Sequence, residues 1–583
     1  MKSPNYRQGN GRCLLTTVTC LASLLLPLFF TIASGGTPDL STAPREMHRL
    51  GERMYREGIL PQGKPMRAVV KGDLSVPGTT FACVSCHLYS GLGAVDENVY
   101  TPPINGGSIF RPLYQVYKGM EQGPNSSHPV LLRPAYTDAT LTEAIRSGKD
   151  PTGRVLSDVM PRYDLDDRAA MILVDYLKSL SSSFSPGVTD TTIRFGTVIT
   201  DEVAVEERNA MLTPLKSYFN IMNSQINTFK TPRGARSRLM VENMLGTRDA
   251  LNKTIALNPW VLKGPAETWR GQLEAYNLKE PVFALLGGIT TGDWKPIHQF
   301  CEDNHIPCLF PNTKFPVISG QDWYTLYLSK GYYQEGESAA RYLSSQGDLM
   351  KGKTVVQIVR ASREGEALAT GFQQTWKELG RQRPVTVSLP PGETLSKNRL
   401  MQVLSGKRST VLIVWDDATA LPALESLGDN KGRPDMVFVS SLYLGKHIWE
   451  LNKSIRDFTY ITYPAAFSPY SPTSGMGKQK VPSDLQATLK QADEPLKDDT
   501  QKITALTNAL TQLWTQTFMD MKGNYYRDYF LDVMGKMMNQ QYPLYGQVSF
   551  GPSKRYASKG CYIVQLSQGD SPALVKKSDW EIY

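Results

Sequence analysis

The feature that most constrains this chain is an alternation of apolar strands and amphipathic helices that begins near residue 191. The predicted strands span residues 193–198, 254–262, 282–287, 306–310, 354–359, 411–415, 436–440 and 458–462. Helical stretches separate many of them, at residues 266–276, 294–304, 334–344, 366–379 and 420–427. Apolar strands that alternate with helices are typical of parallel sheets covered on both faces. We therefore predict an α/β fold, closed by a helical segment at 499–539 and a β-like end at 561–566.

A second constraint is the motif Cys83-Val-Ser-Cys86-His87. Two thiols about one helical turn apart can add to the two vinyl groups of one haem, and the histidine that follows can ligate the iron. The alternatives are a disulfide, half of a zinc site or a thioredoxin-like redox pair. Zinc would need a second Cys-x-x-Cys or His pair, and a redox pair would need a βαβ setting rather than the Gly/Pro-rich surroundings here. We predict one covalent haem c, with thioethers on Cys83 and Cys86 and iron ligation by His87.

A six-coordinate haem needs a second axial ligand, and methionine sulfur raises the reduction potential of the iron. Met160 lies in a short irregular stretch before Pro161 and before a predicted helix at residues 165–180, which we expect Asp164 to cap. We favour Met160 over His128, which would give a lower potential. Other methionines are more simply explained as core residues: Met54, Met120 and Met171.

Several segments around the motif form a recognisable set: 51–58 (GERMYREG), 139–148 (ATLTEAIRSG), 150–154, 159–163 (VMPRY) and a closing helix that ends at Leu180. With the Cys83–His87 motif, they make residues 41–181 resemble a class I cytochrome c domain of the bacterial periplasmic kind. The resemblance implies a small all-α domain in which His87 and Met160 are the axial ligands. It also implies a proline carbonyl near the proximal histidine, from Pro102 or Pro103.

The first 36 residues have the order of a secretory signal peptide. Lys2, Arg7 and Arg12 precede an uncharged run at residues 13–33, and small residues follow up to Gly36. We expect this leader to be cleaved, although the run is also long enough to remain as a membrane anchor. Either outcome places the rest of the chain in the periplasm, an oxidising compartment. An uncut leader would be its one attachment to a membrane.

Composition excludes other classes of protein. The formal charge is +9, or +6 without the basic leader residues, and basic residues are interspersed with acidic ones, so we expect no nucleic-acid partner. We find no Ser/His/Asp arrangement, phosphate-binding glycine loop or convincing carboxylate pair, and therefore do not expect an enzyme. Residues 182–190 are interpreted as a linker, because the chain there is rich in serine and contains Pro186 and Gly187.

Local phrases in the remaining two-thirds of the chain carry a second resemblance. They are Gly264-Pro-Ala-Glu-Thr-Trp269, Pro281-Val-Phe-Ala-Leu-Leu-Gly-Gly288, Phe300-Cys-Glu-Asp-Asn-His-Ile-Pro307 and Tyr333-Gln-Glu-Gly-Glu-Ser-Ala339. Residues 191–583 resemble a type I periplasmic binding protein of the branched-chain amino-acid receptor kind. This implies two α/β lobes joined by a hinge, with a solute between them. The whole chain is thus expected to be multidomain, an all-α cytochrome c domain followed by this two-lobed domain.

Ligands of open α/β sheets bind beyond the carboxyl ends of the strands. The candidate solute contacts at these ends are Gly288, Thr290, Thr291, Asn312, Arg360, Asp416 and Ser440. A threonine hydroxyl and backbone amides could hold a carboxylate, and Asp416 could hold an ammonium group. The alternative is that these are ordinary turn and cap residues. Large side chains leave the class of solute open: those of Trp294, Arg360, Arg363 and Trp415.

The resulting hypothesis is an electron-transfer protein with a redox partner protein and a small solute, such as an amino acid or a carboxylate. The alternative is a sensor, in which solute binding changes the cytochrome; this requires two global states that bind the solute differently. A disulfide between Cys301 and Cys308 is plausible, but it depends on a Cα separation that the sequence does not give. His298 and His305 lie near these cysteines. A metal site is one interpretation of this group, and we favour the other, that the histidines are surface helix residues.

Overall fold

A computed structural model provides the structure. It describes residues 43–96, 99–118, 127–231, 234, 240, 253–406, 409–428, 430, 432–465, 499–537, 540–542, 545–551 and 554–582. The predicted leader at residues 1–36 and Met120 lie outside these ranges.

The N-terminal domain contains several helices, and the last of them corresponds to the helix predicted at residues 165–180. They are α1 (Ala43–Glu57), α2 (Val84–His87), α3 (Gly106–Ile109), α4 (Asp138–Ser147) and α5 (Asp167–Ser179). Gly58, at φ +70°, follows the end of α1, where the positive φ favours glycine. The cap of α5 is Asp166, whose carboxylate accepts from the amide of Ala169; the predicted cap, Asp164, lies instead in a strand.

The prediction that this domain is all-α is wrong. Its strands are β1 (Arg67–Val70), β2 (Leu74–Pro77), β3 (Ala94–Asp96), β4 (Val99–Thr101), β5 (Leu113–Lys118), β6 (Ser127–Arg133) and β7 (Arg162–Asp164). An antiparallel sheet has the order β2-β1-β7, and β3–β4 and β5–β6 form two hairpins. The turn between β1 and β2 is local, because Gly72 and Asp73 both adopt positive φ.

Lobe 1 follows, and its sheet has the order β12-β11-β10-β8-β9 with all neighbours parallel. Its strands are β8 (Thr192–Thr200), β9 (Thr254–Leu262), β10 (Ala284–Leu286), β11 (Cys308–Leu309) and β12 (Thr325–Leu326). Its helices are α6 (Val205–Phe229), α7 (Trp269–Lys279) and α8 (Lys295–Asp303). The sequence analysis missed α6, a 25-residue helix.

Lobe 2 has a sheet with the order β14-β13-β15-β16-β17-β20-β21, in which the first five strands are parallel. Its strands are β13 (Thr354–Arg360), β14 (Val385–Leu389), β15 (Thr410–Trp415), β16 (Met436–Ser440), β17 (Thr459–Tyr463), β20 (Gly560–Leu566), β21 (Leu574–Lys576) and β22 (Glu581–Ile582). Its helices are α9 (Tyr332–Ser345), α10 (Arg363–Glu378), α11 (Lys397–Leu404), α12 (Leu421–Glu425), α13 (Ser441–Leu444) and α14 (Lys453–Arg456). Short 3-10 helices span Ala266–Thr268, Gly347–Met350, Ala418–Ala420 and Gly445–Glu450.

The chain crosses between the lobes more than once. After β17 it returns to lobe 1 as α15 (Asp499–Asp520), α16 (Arg527–Gly535) and the hairpin β18 (Gln540–Tyr542)–β19 (Tyr545–Val548), and β20 then rejoins the lobe 2 sheet. Trp514 and Phe518 of α15 are buried in the lobe 1 core beside Phe195 of β8. The two-lobed α/β architecture expected from the sequence is therefore confirmed.

The segment interpreted as a linker is not a free tether. The backbone amide of Ser185 donates to the carbonyl of Tyr525, and the Ser185 hydroxyl accepts from the amide of Arg527. Phe184 also packs edge-on against Tyr525. The connection between the domains is therefore fixed to the residues at the start of α16.

Candidate functional site

The Cys-x-x-Cys-His motif forms a single helical turn. Cys83 precedes α2, and its carbonyl accepts from the amides of Cys86, at 3.3 Å, and His87, at 2.9 Å. Residues three apart on a helix lie on the same face, so the two thiols point to one side of the turn. Both are free thiols; Cys86 is exposed, and burial raises the pKa of Cys83 to about 12. Two such thiols suit thioether formation with one macrocycle.

The imidazole of His87 is oriented for metal ligation. Its Nδ1 lies 3.0 Å from the carbonyl oxygen of Pro102, which can only accept, so Nδ1 carries the proton. Burial lowers the pKa of His87 and favours the neutral ring. The lone pair of Nε2 is then available to a metal, an arrangement that metal-ligating histidines commonly adopt. Of the two prolines expected near the histidine, the structure selects Pro102.

The segment that carries Met160 is tied to the haem motif. The Tyr163 hydroxyl donates to the carbonyl of Phe81 at 2.5 Å, two residues before Cys83. Met160 lies three residues before Tyr163, in a bend. Its backbone amide donates to the carbonyl of Ser157. Phe81 and Val159 are exposed apolar side chains on these two segments, and they suit an apolar porphyrin face.

The other candidate axial ligands have different positions. Met54 is a fully buried core residue, and Met171 is exposed on α5. His128 lies in β6, paired with Tyr117 of β5 in the hairpin. The two thiols, the oriented histidine and the exposed side chains of Phe81 and Val159 are groups that could hold a covalent haem.

The residues just after His87 meet lobe 1. The ring of Tyr89 stacks on that of Trp323, with centroids 3.5 Å apart. Arg56 of α1 pairs with Asp528 of α16 at 3.0 Å and also donates to the hydroxyl of Tyr324. The N-terminal domain therefore contacts lobe 1 through aromatic and ionic groups beside the haem motif.

On the lobe 1 side, the predicted solute contacts lie beyond β10 and β11. Gly288 has φ +107°, and a Cβ there would lie 2.4 Å from the ring of Trp294, so backbone packing explains this glycine. The Thr290 hydroxyl donates to the carbonyl of Gly292, and that of Thr291 donates to Glu202. The amide of Asn312 donates to the carbonyl of Gly288. These four positions lie at one edge of the sheet, and their contact with a solute stays a prediction.

On the lobe 2 side, Arg360 and Asp416 pair with each other. Arg360 Nε and Nη2 donate to the two carboxylate oxygens of Asp416 at 2.7 and 2.9 Å, and the Asp416 side chain is fully buried. The amide of Asp417 also donates to Asp416. The Ser440 hydroxyl accepts from the amide of Tyr443 and caps α13. Asp416 is therefore already neutralised within the protein, where the sequence interpretation had it holding an ammonium group.

A second arginine bridges the two lobes. Arg363 Nη2 of α10 lies 3.0 Å from Asp293 Oδ1, which follows β10 in lobe 1, and both side chains remain partly exposed. The guanidinium also lies 3.8 Å above the ring of Phe315. The Arg363–Asp293 pair thus lies between the lobes, at the carboxyl ends of β13 and β10, and we call its surroundings the cleft. From the sequence, Arg363 was notable only for its bulk, because an ion pair between lobes has no local signature.

Helix α9 carries a buried acid in its first turn. Glu335 accepts hydrogen bonds from the Ser441 hydroxyl, the Leu442 amide and the Thr462 hydroxyl, at 2.7, 3.1 and 3.0 Å. Burial raises the pKa of Glu335 to about 7. The acid joins α9 to the ends of β16 and β17, a role that the sequence did not indicate.

Three further candidates from the sequence are buried in lobe 1: Cys301, Cys308 and His298. Cys301 and Cys308 are buried free thiols rather than a disulfide. His298 lies 2.9 Å from the Tyr327 hydroxyl and 2.8 Å from Asp322. Within the described ranges, no group of three or more His, Cys, Asp or Glu side chains is arranged to hold a metal ion.

Two lobes of mostly parallel α/β structure, with polar residues at the facing strand ends, define a binding-protein class of fold. A family described as periplasmic binding protein matches residues 271–571, a little over half of the chain. The chain belongs to this family. No curated protein matches it in sequence.

Solved structures similar to this chain include a putative branched-chain amino acid ABC transporter from Rhodospirillum rubrum, at 13% identity, 67% coverage of this chain, 100% of that chain and a TM-score of 0.43. A solute binding protein from Rhodopseudomonas palustris HaA2 in complex with p-hydroxybenzoic acid has 16% identity, 67% and 97% coverage and a TM-score of 0.43. A branched chain amino acid ABC transporter from Thermus thermophilus with bound valine has 12% identity, 67% and 97% coverage and a TM-score of 0.42.

The family is one of periplasmic proteins, which agrees with the periplasmic location expected from the sequence. Among the residues that the structure describes, no helix combines the length and apolarity needed to cross a bilayer.

Proposed function

We propose that the protein is a periplasmic electron-transfer protein that carries one covalent haem c and a solute-binding domain. The observation that supports this most directly is the Cys83–His87 turn, with two thiols on one face and a histidine oriented by Pro102. A redox partner protein supplies or accepts the electron. Bound haem supplies a one-electron couple.

The residues of the chain have separate roles in this proposal. Cys83 and Cys86 hold the haem covalently, and His87 ligates iron through Nε2 while Pro102 fixes the ring. Met160 supplies a sulfur ligand, which stabilises the reduced iron. Tyr163, through its bond to Phe81, holds the methionine segment beside the motif.

The Met160 assignment can be tested by Met160→Ala. We expect the variant to keep its haem, to bind carbon monoxide when reduced, and to have a lower midpoint potential because the sulfur ligand is lost. The fall should be at least tenfold in the ratio of reduced to oxidised haem at a fixed potential, about 59 mV for one electron. Spectroelectrochemical titration measures this.

Met171→Ala is the matched control, because Met171 is exposed on α5. It should leave the potential and the carbon monoxide response unchanged. Ready binding of carbon monoxide by the reduced wild-type protein would contradict a six-coordinate carrier.

The cleft supports a second role, as a receptor for a solute that carries a carboxylate. Arg363 is partly exposed, lies between the lobes and has the ring of Phe315 against its guanidinium. A solute carboxylate would replace Asp293 as the partner of Arg363, which favours charge-assisted bonds with carboxylates. The hydroxyls of Thr290 and Thr291 lie at the same edge of lobe 1. Solutes that carry a carboxylate include amino acids and aromatic acids.

Arg363→Met should weaken binding of such a solute by about 10- to 100-fold, because a hydrogen bond to a charged group contributes about 1.5–3 kcal/mol. Calorimetric titration of amino acids, carboxylates and aromatic acids into the haem-loaded protein measures this. Arg433→Met is the control: Arg433 also pairs with an acid, Asp457, and lies over a ring, Phe458, but it precedes β16 at the opposite end of the sheet.

Equal affinities for the two variants would exclude Arg363 from the solute site. The sensor alternative has its own measurement, the haem midpoint potential with and without a saturating solute. An unchanged potential would exclude it, because the solute must favour one state of the protein.

A further inference from the structure

We propose that Asp532, which belongs to the solute-binding domain, is a positioning residue for the haem ligand His87. The inference rests on the proposed haem function. It places one part of the haem site outside the N-terminal domain, on helix α16 of lobe 1.

Asp532 binds the backbone directly after the haem motif. Its Oδ1 accepts from the amide of Tyr89 at 3.2 Å, and its Oδ2 accepts from the amide of Ser90 at 2.9 Å. Both Asp532 and Ser90 are buried. One carboxylate thus fixes two successive peptide groups, two and three residues after His87. A buried carboxylate that spans a domain boundary in this way is costly unless such bonds are made.

The loop that Asp532 holds, residues 88–90, has a strained conformation. We call it the haem loop. Leu88 adopts φ +64°, which is uncommon for a residue with a branched side chain. Its carbonyl accepts from the Tyr55 hydroxyl at 2.6 Å, and the carbonyl of Ser90 accepts from the Ser181 hydroxyl at 2.8 Å. The loop is therefore held by α1, by Ser181 at the end of the N-terminal domain and by α16. Strained segments persist when their surroundings fix them from several sides.

Helix α16 is in turn fixed to lobe 1. The buried guanidinium of Arg527 donates to the carbonyls of Val282 at 2.6 Å and Phe283 at 3.1 Å, just before β10. It also donates to the carbonyls of Asn304 and His305, at the end of α8. Asp532 therefore joins the haem loop to a helix that is itself hydrogen-bonded to lobe 1.

Two effects on the haem follow from this geometry. The loop bonds restrict the backbone next to His87, and outer contacts of this kind orient a metal ligand. The carboxylate also places negative charge in a buried setting, which favours the more positive, oxidised iron. Loss of the carboxylate should therefore raise the midpoint potential.

Asp532→Asn tests the inference in the full-length, haem-loaded protein. The measurement is made at pH 9, where the wild-type carboxylate is ionised although burial raises the pKa of Asp532 to about 7. We expect a rise of at least tenfold in the ratio of reduced to oxidised haem at the wild-type midpoint, which is about 59 mV for one electron. The haem content and the sulfur-to-iron charge-transfer band should remain.

Asp528→Asn is the matched control. Asp528 lies one turn earlier on α16 and binds Arg56 and Tyr324 rather than the haem loop. It should disturb the domain contact while leaving the potential close to that of the wild type. Equal potentials for the two variants would overturn the inference.

A measurement on the wild-type protein covers the case in which Asp532→Asn does not fold. The amides of Tyr89 and Ser90 should exchange with deuterium slowly, as core amides do. Exchange at the rate of an unstructured peptide would overturn the inference. A wild-type protein without covalent haem would instead overturn the proposed function, and the inference with it.

Discussion

Replacing Cys83 and Cys86 together by serine should give a protein with no covalently attached haem. Each thioether needs a cysteine sulfur, and these two thiols lie on one face of a single turn beside His87. The content should therefore fall from one haem per chain to none. Haem staining after denaturing electrophoresis, with a pyridine haemochrome spectrum, measures this.

Serine variants of Cys301 and Cys308 are the appropriate control. These are also free cysteines, but they are buried in lobe 1 and lie outside the haem motif. Their replacement should leave one haem on each folded chain. Covalent haem on the Cys83/Cys86 double variant would refute the attachment assigned to these residues.

Replacing Asp416 by alanine should destabilise lobe 2 by about 3–5 kcal/mol, because it leaves the Arg360 guanidinium buried without its counter-charge. Arg360 would keep its bonds to the carbonyls of Pro390 and Glu393, but both of its bonds to a carboxylate would be lost. For a domain of this size the transition should move down by roughly 10 °C. Differential scanning calorimetry measures the shift.

The matched control is Asp570→Ala, which removes an ion pair with Lys453 in the same lobe. Both side chains of that pair are largely exposed, so the expected cost is below about 1 kcal/mol. Replacing Arg360 and Asp416 together by apolar residues should restore much of the lost stability, since no unpaired charge remains. Equal transitions for Asp416→Ala and Asp570→Ala would show that the buried pair contributes little.

The periodicity of the sequence predicted most of the parallel strands of the two lobes, although it missed helix α6 and strands β12 and β14. The strands at residues 254–262 and 436–440 were predicted with the bounds that the structure shows. Buried parallel strands are apolar throughout, and this signal is local. The small sheet β2-β1-β7 was missed, because β7 has only three residues and pairs with a strand more than 90 positions earlier.

The sequence alone determined the haem motif, because its two thiols and histidine need only one helical turn to lie together. It also determined that a two-lobed α/β domain follows. Only the tertiary structure decided which proline orients His87, that Arg360 neutralises Asp416, and that Arg363 joins the lobes. It also decided that Asp532 reaches the haem loop from more than 440 positions away. Such contacts depend on how separate elements pack, and no local spacing in the chain records them.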